Sequence, residues 1–524
     1  MLEREAKYYT AGDKGNDPLK APLYLRSLIF DGPEGDFNAE LIDLFNVFLQ
    51  KKKNFSKFYL KPFTAHSLFP KKIVVINASH DDLPTSYETA RVFEKFLFEK
   101  KCKIDICVVN TREELMGEVA REPGKTLVVS QCVDKKVYNV GVAEDFESMG
   151  VVIVPGKMTA PGSVFSDKDS TYRLLSAGGK RWDSVARYRK VSDEGGDIEN
   201  IGRDIIDAID DLAVETGDDV FFVKPHEGGG GLGGFRISKK GDEYMIPDLS
   251  KVSGDDSVIH PTFIDIDVND TAKLRELLWI YRLFSTDEKM KTNYLLTRLP
   301  LKNAGKKEAL QILKEYLKSC EEKKERKLEA MRLSRVAAEA KLTAAIKIFE
   351  KKFKRRYVAL VNEHIDFGTW GLRAHYRLSE KGPKLEAMYS RIFQLAFTKE
   401  GIGYLGSDNI SNKQTGELEI LRLGPINAIM LEAIGGKEAL FKTLLEGARA
   451  LASLAELIPG EEREHVPLRA QFDLAAISQR IGEGNADTAR GLCLASRWGK
   501  FIENNREWLN DSLAYYSWKK YSER

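Results

Sequence analysis

The segment 218–237 constrains this chain more than any other part of its sequence. Val220–Val223 is a short apolar run with β-branched and aromatic residues, which is typical of a strand. After Lys224 come six glycines within the seven residues 228–234, and Phe235 begins a second alternating pattern. Glycines let backbone N–H groups approach phosphate oxygens, and a lysine at the entrance supplies positive charge. The pattern therefore predicts a hairpin loop that closes over a polyphosphate.

Several familiar phosphate-binding motifs are excluded by the same segment. The spacing G-x-G-x-x-G occurs at Gly228, Gly230 and Gly233, but the dinucleotide fingerprint needs a helix after its glycines, and here a strand follows. There is no G-x-x-x-x-G-K-[ST] sequence, and the lysine precedes the loop, which is the wrong order for a protein kinase. The alternative is a hairpin tip that contacts nothing. We disfavour it because ordering six glycines costs more conformational entropy than a plain turn would need.

Length and composition indicate a soluble globular protein of two to four domains, since the chain has 524 residues, 43% hydrophobic and 31% charged. Its five cysteines show no metal-binding spacing, so we expect reduced thiols in a cytosolic protein. The first residues lack an apolar signal segment, and no apolar stretch reaches about 18 residues. We therefore expect a cytoplasmic protein that is neither secreted nor membrane-spanning.

Strand and helix patterns alternate over residues 70–156, which predicts a parallel α/β layer. The predicted strands are Lys72–Asn77, Ile104–Val109, Thr126–Ser130 and Val151–Val154, and the predicted helices are Thr85–Lys101 and Arg112–Arg121. Outside this layer, helical patterns cover Ala39–Lys51, Ser166–Gly179 and Ile201–Thr216, and the last of these leads into the glycine-loop strand.

The order of these elements resembles the ATP-grasp superfamily, whose nucleotide sits between two α+β lobes. The resemblance starts with an Asp-Lys helix at 167–168 and the Lys-Pro that precedes the glycine loop. It continues with Val358–Asp366, which is similar to the hinge strand between the lobes. The strands that follow the hinge are matched by Gly371–His375 and Tyr389–Arg391, and the terminal metal-binding hairpin by Gly403–Asp408 and Thr415–Pro425. Together these segments cover roughly residues 72–240 and 357–435.

The resemblance implies a role for each matching residue. Lys168 and Lys224 would contact the α- and β-phosphates of ATP, and the hinge would meet adenine and ribose through Glu363 and Ile365. Arg373 and Arg391 would be the catalytic residues that stabilise the transferred phosphoryl group. The loop that would cover the phosphates consists of Glu227, Gly228, Gly229, Gly230, Gly231, Leu232 and Gly233.

Four of these roles have plainer alternatives. Lys168 could be a solvated helix charge, and Glu363 and Arg391 could each belong to an ordinary ion pair. Asp408, which the resemblance makes an Mg²⁺ ligand, could serve only as an Asx-type turn former.

The metal site departs from the family pattern. Active members carry Glu-x-Asn on the last hairpin strand, and alignment on Pro425 places Arg422 and Gly424 at those positions. If the last hairpin strand is shifted relative to this alignment, the metal site can still be complete. Glu417 and Glu419 share one face of a strand and could bind Mg²⁺ together with Asp408. Otherwise Arg422 would pair with phosphate directly, or catalysis would be lost.

The predicted fold class is α/β with α+β, in which an N-terminal parallel α/β layer precedes a two-lobed ATP-grasp fold with a helical insertion and a helical C-terminal region. Residues 301–356 hold 18 Lys and Arg against 8 Asp and Glu, and Lys306–Phe353 reads as a long helical stretch. Its basic face could meet nucleic acid or an acidic protein, but we favour a helical hairpin packed on the enzyme. The predicted boundaries are 1–70 (extension), 71–156 (α/β layer), 157–244 (first lobe), 245–356 (insertion), 357–435 (second lobe) and 436–524 (helical cap or homodimer surface).

The function predicted from these features is an ATP-dependent ligase that uses Mg²⁺. It would phosphorylate a small-molecule or peptide carboxylate and let an amine attack the acyl phosphate, while the closed glycine loop excludes water. We expect no membrane and no nucleic-acid partner. Two alternatives stay open, a nucleotide-binding scaffold that has lost its chemistry and an ATP-grasp-type kinase.

Overall fold

The computed structural model describes most of residues 33–52, 68–76, 103–157, 160–177, 185–246, 332–405 and 423–486, with short gaps, and isolated residues elsewhere. The first sheet contains β1 (Lys72–Ile76), β2 (Asp105–Val109), β3 (Thr126–Ser130) and β4 (Val152–Val154) in the order β2-β1-β3-β4. All three pairings are parallel, as the sequence predicts. The predicted helix Thr85–Lys101 lies outside the described residues.

Both faces of this sheet are covered, as a parallel sheet requires. Helices α1 (Pro33–Gln50), α2 (Arg112–Ala120) and α3 (Val140–Ser148) precede or connect its strands, and α2 and α3 place Leu115 and Phe146 on one face. On the other face lie Leu513 and Tyr516 from the end of the chain, and the Tyr516 hydroxyl donates to the Gly124 carbonyl over 3.2 Å. The last residues thus pack on the first domain.

A second sheet of six strands forms the lobe that follows. After helices α4 (Lys168–Ala177) and α5 (Ile201–Thr216), its strands run in the order β10-β8-β7-β6-β11-β5. The bounds of these strands are β5 Tyr188–Val191, β6 Val220–Pro225, β7 Phe235–Lys240, β8 Glu243–Met245, β10 Arg332–Ser334 and β11 Ala359–Glu363. Strand β9 (Thr262–Phe263) belongs to a separate small sheet. The pairings are antiparallel. The helix and hairpin predicted around the glycine loop are therefore confirmed.

One face of this sheet is closed by two helices, α5 and α6 (Arg335–Phe353). The helices cross closely, because a Cβ on Gly202 would lie 2.0 Å from the Glu339 carbonyl oxygen. The Gly202 N–H at the start of α5 donates to the Thr343 hydroxyl over 3.1 Å. The prediction of one helical stretch over Lys306–Phe353 was wrong at β10, which pairs with β8 before α6 begins. Its expected packing on the body of the protein is confirmed for α6.

A third sheet has the order β16-β13-β12-β17-β18. Its strands are β12 (Trp370–Ser379), β13 (Gly382–Ile392), β16 (Leu423–Gly424), β17 (Arg469–Ala475) and β18 (Arg480–Ala486). Helix α7 (Ala428–Ile434) leads to α8 (Lys437–Glu456), which packs on β12, β13 and β17. The prediction of a helical region over 436–524 was wrong for β17 and β18, which extend this sheet beyond residue 435.

The N-terminal helix α1 also packs on this third sheet. Asn38 donates to the Met388 carbonyl over 3.0 Å, and Asn46 makes two hydrogen bonds of 2.9 Å with the backbone of Leu385. Leu385 lies at a bulge, where β12 and β13 shift register between His375 and Tyr376. The Asn46 side chain therefore satisfies both backbone groups of Leu385, which lies beside the bulged residue Glu386.

Strands β14 (Gln394–Thr398) and β15 (Gly401–Leu405) pair with each other and with β9 in a separate small sheet. Gly403 and Tyr404, which the sequence places in the terminal hairpin of the metal site, thus belong to a different sheet from Leu423 and Gly424. Among the described residues, none of the helices combines the length and the apolar character needed to cross a bilayer.

Candidate functional site

Lys224 lies at the end of β6 and is only 8% exposed. Its Nζ donates to the Tyr172 hydroxyl over 2.8 Å and lies 5.0 Å from the centre of that ring. Tyr172 belongs to α4, so the helix that begins at Lys168 lies directly over the strand that leads into the glycine loop. The structure therefore brings the two predicted phosphate-binding lysines to the same place.

The start of α4 is held by two local contacts. Asp167 caps the helix, since its carboxylate accepts the backbone N–H groups of Asp169 and Ser170 over 3.3 and 3.1 Å. The Lys168 backbone N–H donates to the carbonyl of His226, the last described residue before the loop, over 3.4 Å. Lys168 is 9% exposed, so its reading as a solvated helix charge is wrong.

Asp169 organises the charges beside these lysines. Its carboxylate is 3% exposed and accepts from the Tyr188 hydroxyl over 3.0 Å, and it forms ion pairs with Lys190 at 3.1 Å and Arg173 at 3.4 Å. Burial, followed by the nearby charge of Asp169, raises the pKa of Tyr188 well above its ordinary value. Tyr188 therefore stays a neutral donor, which fixes α4 to β5.

The register of the second sheet separates its apolar face from its polar face. Phe221, Val223 and Val361 pack toward α5 and α6. On β11, Leu360 stands opposite both Lys224 and Lys190, which therefore share the other face, the one over which α4 lies. The second sheet thus has one apolar face closed by α5 and α6 and one face that carries Lys224 and Lys190 under α4.

The predicted loop residues Glu227–Gly233 lie outside the described residues. The strands on either side of them pair as β6 and β7, with Val223 opposite Phe235. The strand–glycine loop–strand prediction is thus confirmed for its strands, and the role of the loop stays a prediction.

In the hinge, Glu363 and Ile365 are buried, at 4% and 7% exposure. The Glu363 backbone N–H donates to the Arg187 carbonyl over 3.0 Å, and its Oε1 accepts the Arg187 N–H over 2.9 Å. Ile365 packs with Ala186 and with Ala475 at the end of β17. The hinge therefore contacts both the second and the third sheet, and the Glu363 carboxylate supports the edge between β5 and β11.

On the third sheet, Arg373 forms a two-point ion pair with Asp473 of β17. Nε and Nη2 donate to the two carboxylate oxygens over 2.6 and 2.7 Å. Arg391 stands opposite Gly371 in the register, so Arg391 and Arg373 belong to the same face of the sheet. Both predicted catalytic arginines therefore share a face with one carboxylate.

Sequence reasoning missed the acidic and amide residues opposite this pair. Glu483 stands directly opposite Asp473, and Asn485, two residues further along β18, opposite Gln471. Glu483-Gly484-Asn485 is a Glu-x-Asn sequence on the last hairpin strand, the pattern that alignment on Pro425 did not find. A search for Glu-x-Asn over the whole chain would have found it. Helix α4, which begins at Lys168, lies against β18.

Carboxylate and amide oxygens are the ligands Mg²⁺ prefers, so Asp473, Glu483 and Asn485 fit this metal by donor type. Each Asp473 oxygen accepts one N–H from Arg373. Among residues whose side chains the structure describes, no group of three or more His, Cys, Asp or Glu forms a metal site. The remaining predicted ligands, Asp408, Glu417 and Glu419, lie outside the described residues, and their role stays a prediction.

Known structures are similar to this chain over most of its length. D-cycloserine synthetase DcsG shares 12% identity with a TM-score of 0.40, covering 84% of this chain and 99% of its own. D-alanine–D-alanine ligase from Bacillus anthracis complexed with ATP shares 11% identity with a TM-score of 0.41, covering 87% and 99%. N5-carboxyaminoimidazole synthetase from Staphylococcus aureus shares 8% identity with a TM-score of 0.34, covering 84% and 77%.

No family model matches the chain, and no curated protein does. At such identities and TM-scores, the matches carry no argument about substrate or activity, which has to come from the residues described above.

Proposed function

We propose that this protein is an ATP-dependent ligase that joins a carboxylate to an amine through an acyl phosphate. The observation that carries the proposal is the position of α4. This helix brings Lys168 beside Lys224 on the polar face of the second sheet, and it also lies against β18 of the third sheet, which carries Glu483 and Asn485. Phosphate-binding and metal-binding residue types thus meet along one helix.

The two lysines would bind the phosphates of ATP. Both are largely buried, so their attraction for phosphate is less screened than at an exposed surface. Lys224 is held by the neutral Tyr172 hydroxyl, from which a phosphate oxygen can take over the hydrogen bond. The glycine loop between β6 and β7 would add backbone N–H donors and exclude water from the reacting group.

Arg373 and Arg391 would stabilise the charge that develops on the transferred phosphoryl group. Asp473 holds the Arg373 guanidinium by two hydrogen bonds and so fixes its orientation. Asp473, Glu483 and Asn485 would hold Mg²⁺, which would supply positive charge against the phosphates. The small-molecule or peptide carboxylate and amine would meet the third sheet on this same face.

The presence of Glu483-Gly484-Asn485 supports an enzyme over the inactive scaffold, because that alternative was motivated by the missing Glu-x-Asn pair. No feature of the described residues favours the kinase. ATP-dependent chemistry is therefore the function that these residues support best.

Product analysis tests the proposal. The protein is incubated with ATP, Mg²⁺ and mixtures of amino acids and other small carboxylates, and the products are identified by mass spectrometry and ³¹P NMR. The expected result is ADP and phosphate in equal amounts with a new amide. AMP with pyrophosphate would show adenylation instead, ADP with a phosphorylated metabolite would show a kinase, and the absence of nucleotide binding would refute the proposal.

A further inference from the structure

The side chain of Tyr172 contacts the Lys224 ammonium in two ways. Its hydroxyl accepts a hydrogen bond from Nζ over 2.8 Å, and its ring centre lies 5.0 Å from the same atom. Both distances suit an attractive contact with a cation. Tyr172 is 1% exposed and Lys224 is 8% exposed, so bulk water has little access to this pair. The contact therefore fixes where the ammonium lies.

Tyr172 is itself packed against a fixed neighbour. Its ring lies on the ring of Tyr188, with the two centres 5.1 Å apart and the planes at 40°. The Tyr188 hydroxyl donates to the Asp169 carboxylate over 3.0 Å, and Asp169 forms an ion pair with Lys190 of β5 at 3.1 Å. Tyr172 and Asp169 both belong to α4. The position of the Tyr172 ring is thus set by contacts that do not involve Lys224.

A lysine side chain alone lacks this rigidity. Its ammonium ends a flexible four-carbon stem, and immobilising such a side chain when a ligand binds costs free energy. A contact that already restricts the ammonium lowers that cost. The ammonium has three N–H donors, so it can donate to phosphate whether or not the hydroxyl keeps the first of them. Restriction of the Lys224 side chain therefore decides the effect of Tyr172 on phosphate binding.

The same helix turn that carries Tyr172 also carries Lys168. Lys168 begins α4, and its backbone N–H donates to the carbonyl of His226, directly after β6. Tyr172 follows four residues later, which places it one turn further along the same side of the helix, and it contacts Lys224 at the end of β6. The Tyr172 contact therefore sets the position of Lys224 relative to Lys168.

We propose that Tyr172 is a positioning residue of the nucleotide site, which holds the Lys224 ammonium beside Lys168 and so raises the affinity for the phosphate chain. The inference rests on the proposed function, because it assumes that Lys224 binds phosphate. It goes beyond that function by assigning Tyr172 an effect that depends on the phosphates of the ligand and not on its nucleoside.

The test compares Tyr172→Phe with the wild type by calorimetric titration with ATP, ADP and adenosine in the presence of Mg²⁺. The variant keeps the ring and its packing on Tyr188 and removes only the hydroxyl. We expect the affinities for ATP and ADP to fall about two- to tenfold, the factor that immobilising one flexible side chain corresponds to. The affinity for adenosine should change by less than about twofold, because adenosine has no phosphate to meet Lys224.

Two controls separate positioning from a structural role. Tyr244→Phe removes another hydroxyl of this lobe, which donates to Asp210 on the helix-covered side over 2.6 Å, with the Lys239 Nζ 5.9 Å from the ring centre. This variant should lower the melting temperature and leave ATP affinity unchanged. The second control combines Tyr172→Phe with Lys224→Ala. In that background no ammonium is left to position, so Tyr172→Phe should change ATP affinity by less than about twofold.

The other outcomes overturn the inference. Unchanged ATP affinity with a lower melting temperature would give the Tyr172 hydroxyl a purely structural role, and tighter ATP binding would show that the hydroxyl competes with phosphate. An equal loss of ATP affinity in the Lys224→Ala background would show that the effect does not depend on the ammonium. If the wild type binds no ATP, the proposed function fails and the inference with it, whereas normal ATP turnover with unchanged ATP affinity in Tyr172→Phe refutes the inference alone.

Discussion

The crossing of α5 and α6 gives a prediction whose size follows from the structure, the effect of Gly202→Ala. The added Cβ would lie 2.0 Å from the Glu339 carbonyl oxygen, 2.6 Å from the Thr343 hydroxyl and 2.8 Å from the Glu339 carbonyl carbon. Two of these atoms belong to the backbone of α6, so no side-chain rotation removes the contact. The helices must separate.

Overpacking of this kind costs about 1–3 kcal/mol, and contacts this short with backbone atoms place the cost in the upper part of that range. Alanine recovers at most about 1 kcal/mol of helix propensity over glycine, and less in the first turn, where Gly202 lies. The net loss of unfolding free energy is therefore about 2 kcal/mol. Because α5 packs on β6 and β11, ATP affinity should fall as well.

Urea denaturation measures the change, and hydrogen exchange of the α5 and β11 amides shows whether it belongs to this lobe. The matched control is Gly117→Ala in α2, where nothing lies within 4 Å of the added Cβ. That variant should gain about 0.5–1 kcal/mol from the same chemical change. If both variants shift stability in the same direction and by similar amounts, the close crossing at Gly202 is refuted.

Three further predictions follow from the site and its supports. Lys224→Ala should weaken ATP binding by about 1.5–3 kcal/mol, measured by titration calorimetry, whereas Lys239→Ala, which breaks a pair with Asp210 on the helix-covered side, should leave ATP affinity unchanged. Asp473→Asn should lower kcat about 10²–10³-fold with the fold intact by circular dichroism; if Glu417→Gln does so instead, the metal ligands lie in the segment first predicted. Asn46→Ala removes both hydrogen bonds to the Leu385 backbone in β13 and should cost about 1–3 kcal/mol in urea denaturation.

The sequence was sufficient where a segment's own pattern decides its structure. The strand Thr126–Ser130 and the helix Ile201–Thr216 have the bounds predicted for them. In the first, all five residues are buried and three of them are β-branched, which favours a strand. In the second, the apolar residues recur at the helical period and Gly217 ends the helix in a left-handed conformation with φ of 75°.

The terminal hairpin was missed because its local signal is weak. Strand β18 contains Gly482 and Gly484, which lower strand propensity, and its Glu-x-Asn is followed by Ala486 instead of proline or glycine. The segment that ends in Gly424-Pro425 offered a stronger turn signal. The pairing of β17 with β12 over about 100 residues of chain is a tertiary event that no local pattern encodes.

The two antiparallel sheets divide their faces in the same way, and this division locates the chemistry. Helices α5 and α6 close the apolar face of one sheet, and α8 packs on the other. The opposite faces carry Lys224 and Lys190 in one case and the Arg373–Asp473 pair in the other. Asp169 of α4, whose carboxylate is buried, forms an ion pair with Lys190 of β5 and so joins this helix to the sheet. The Lys224 Nζ donates to the Tyr172 hydroxyl of α4, so a triphosphate bound at Lys224 would lie where the strand and the helix meet, and nucleotide binding should stabilise the second sheet and α4 together.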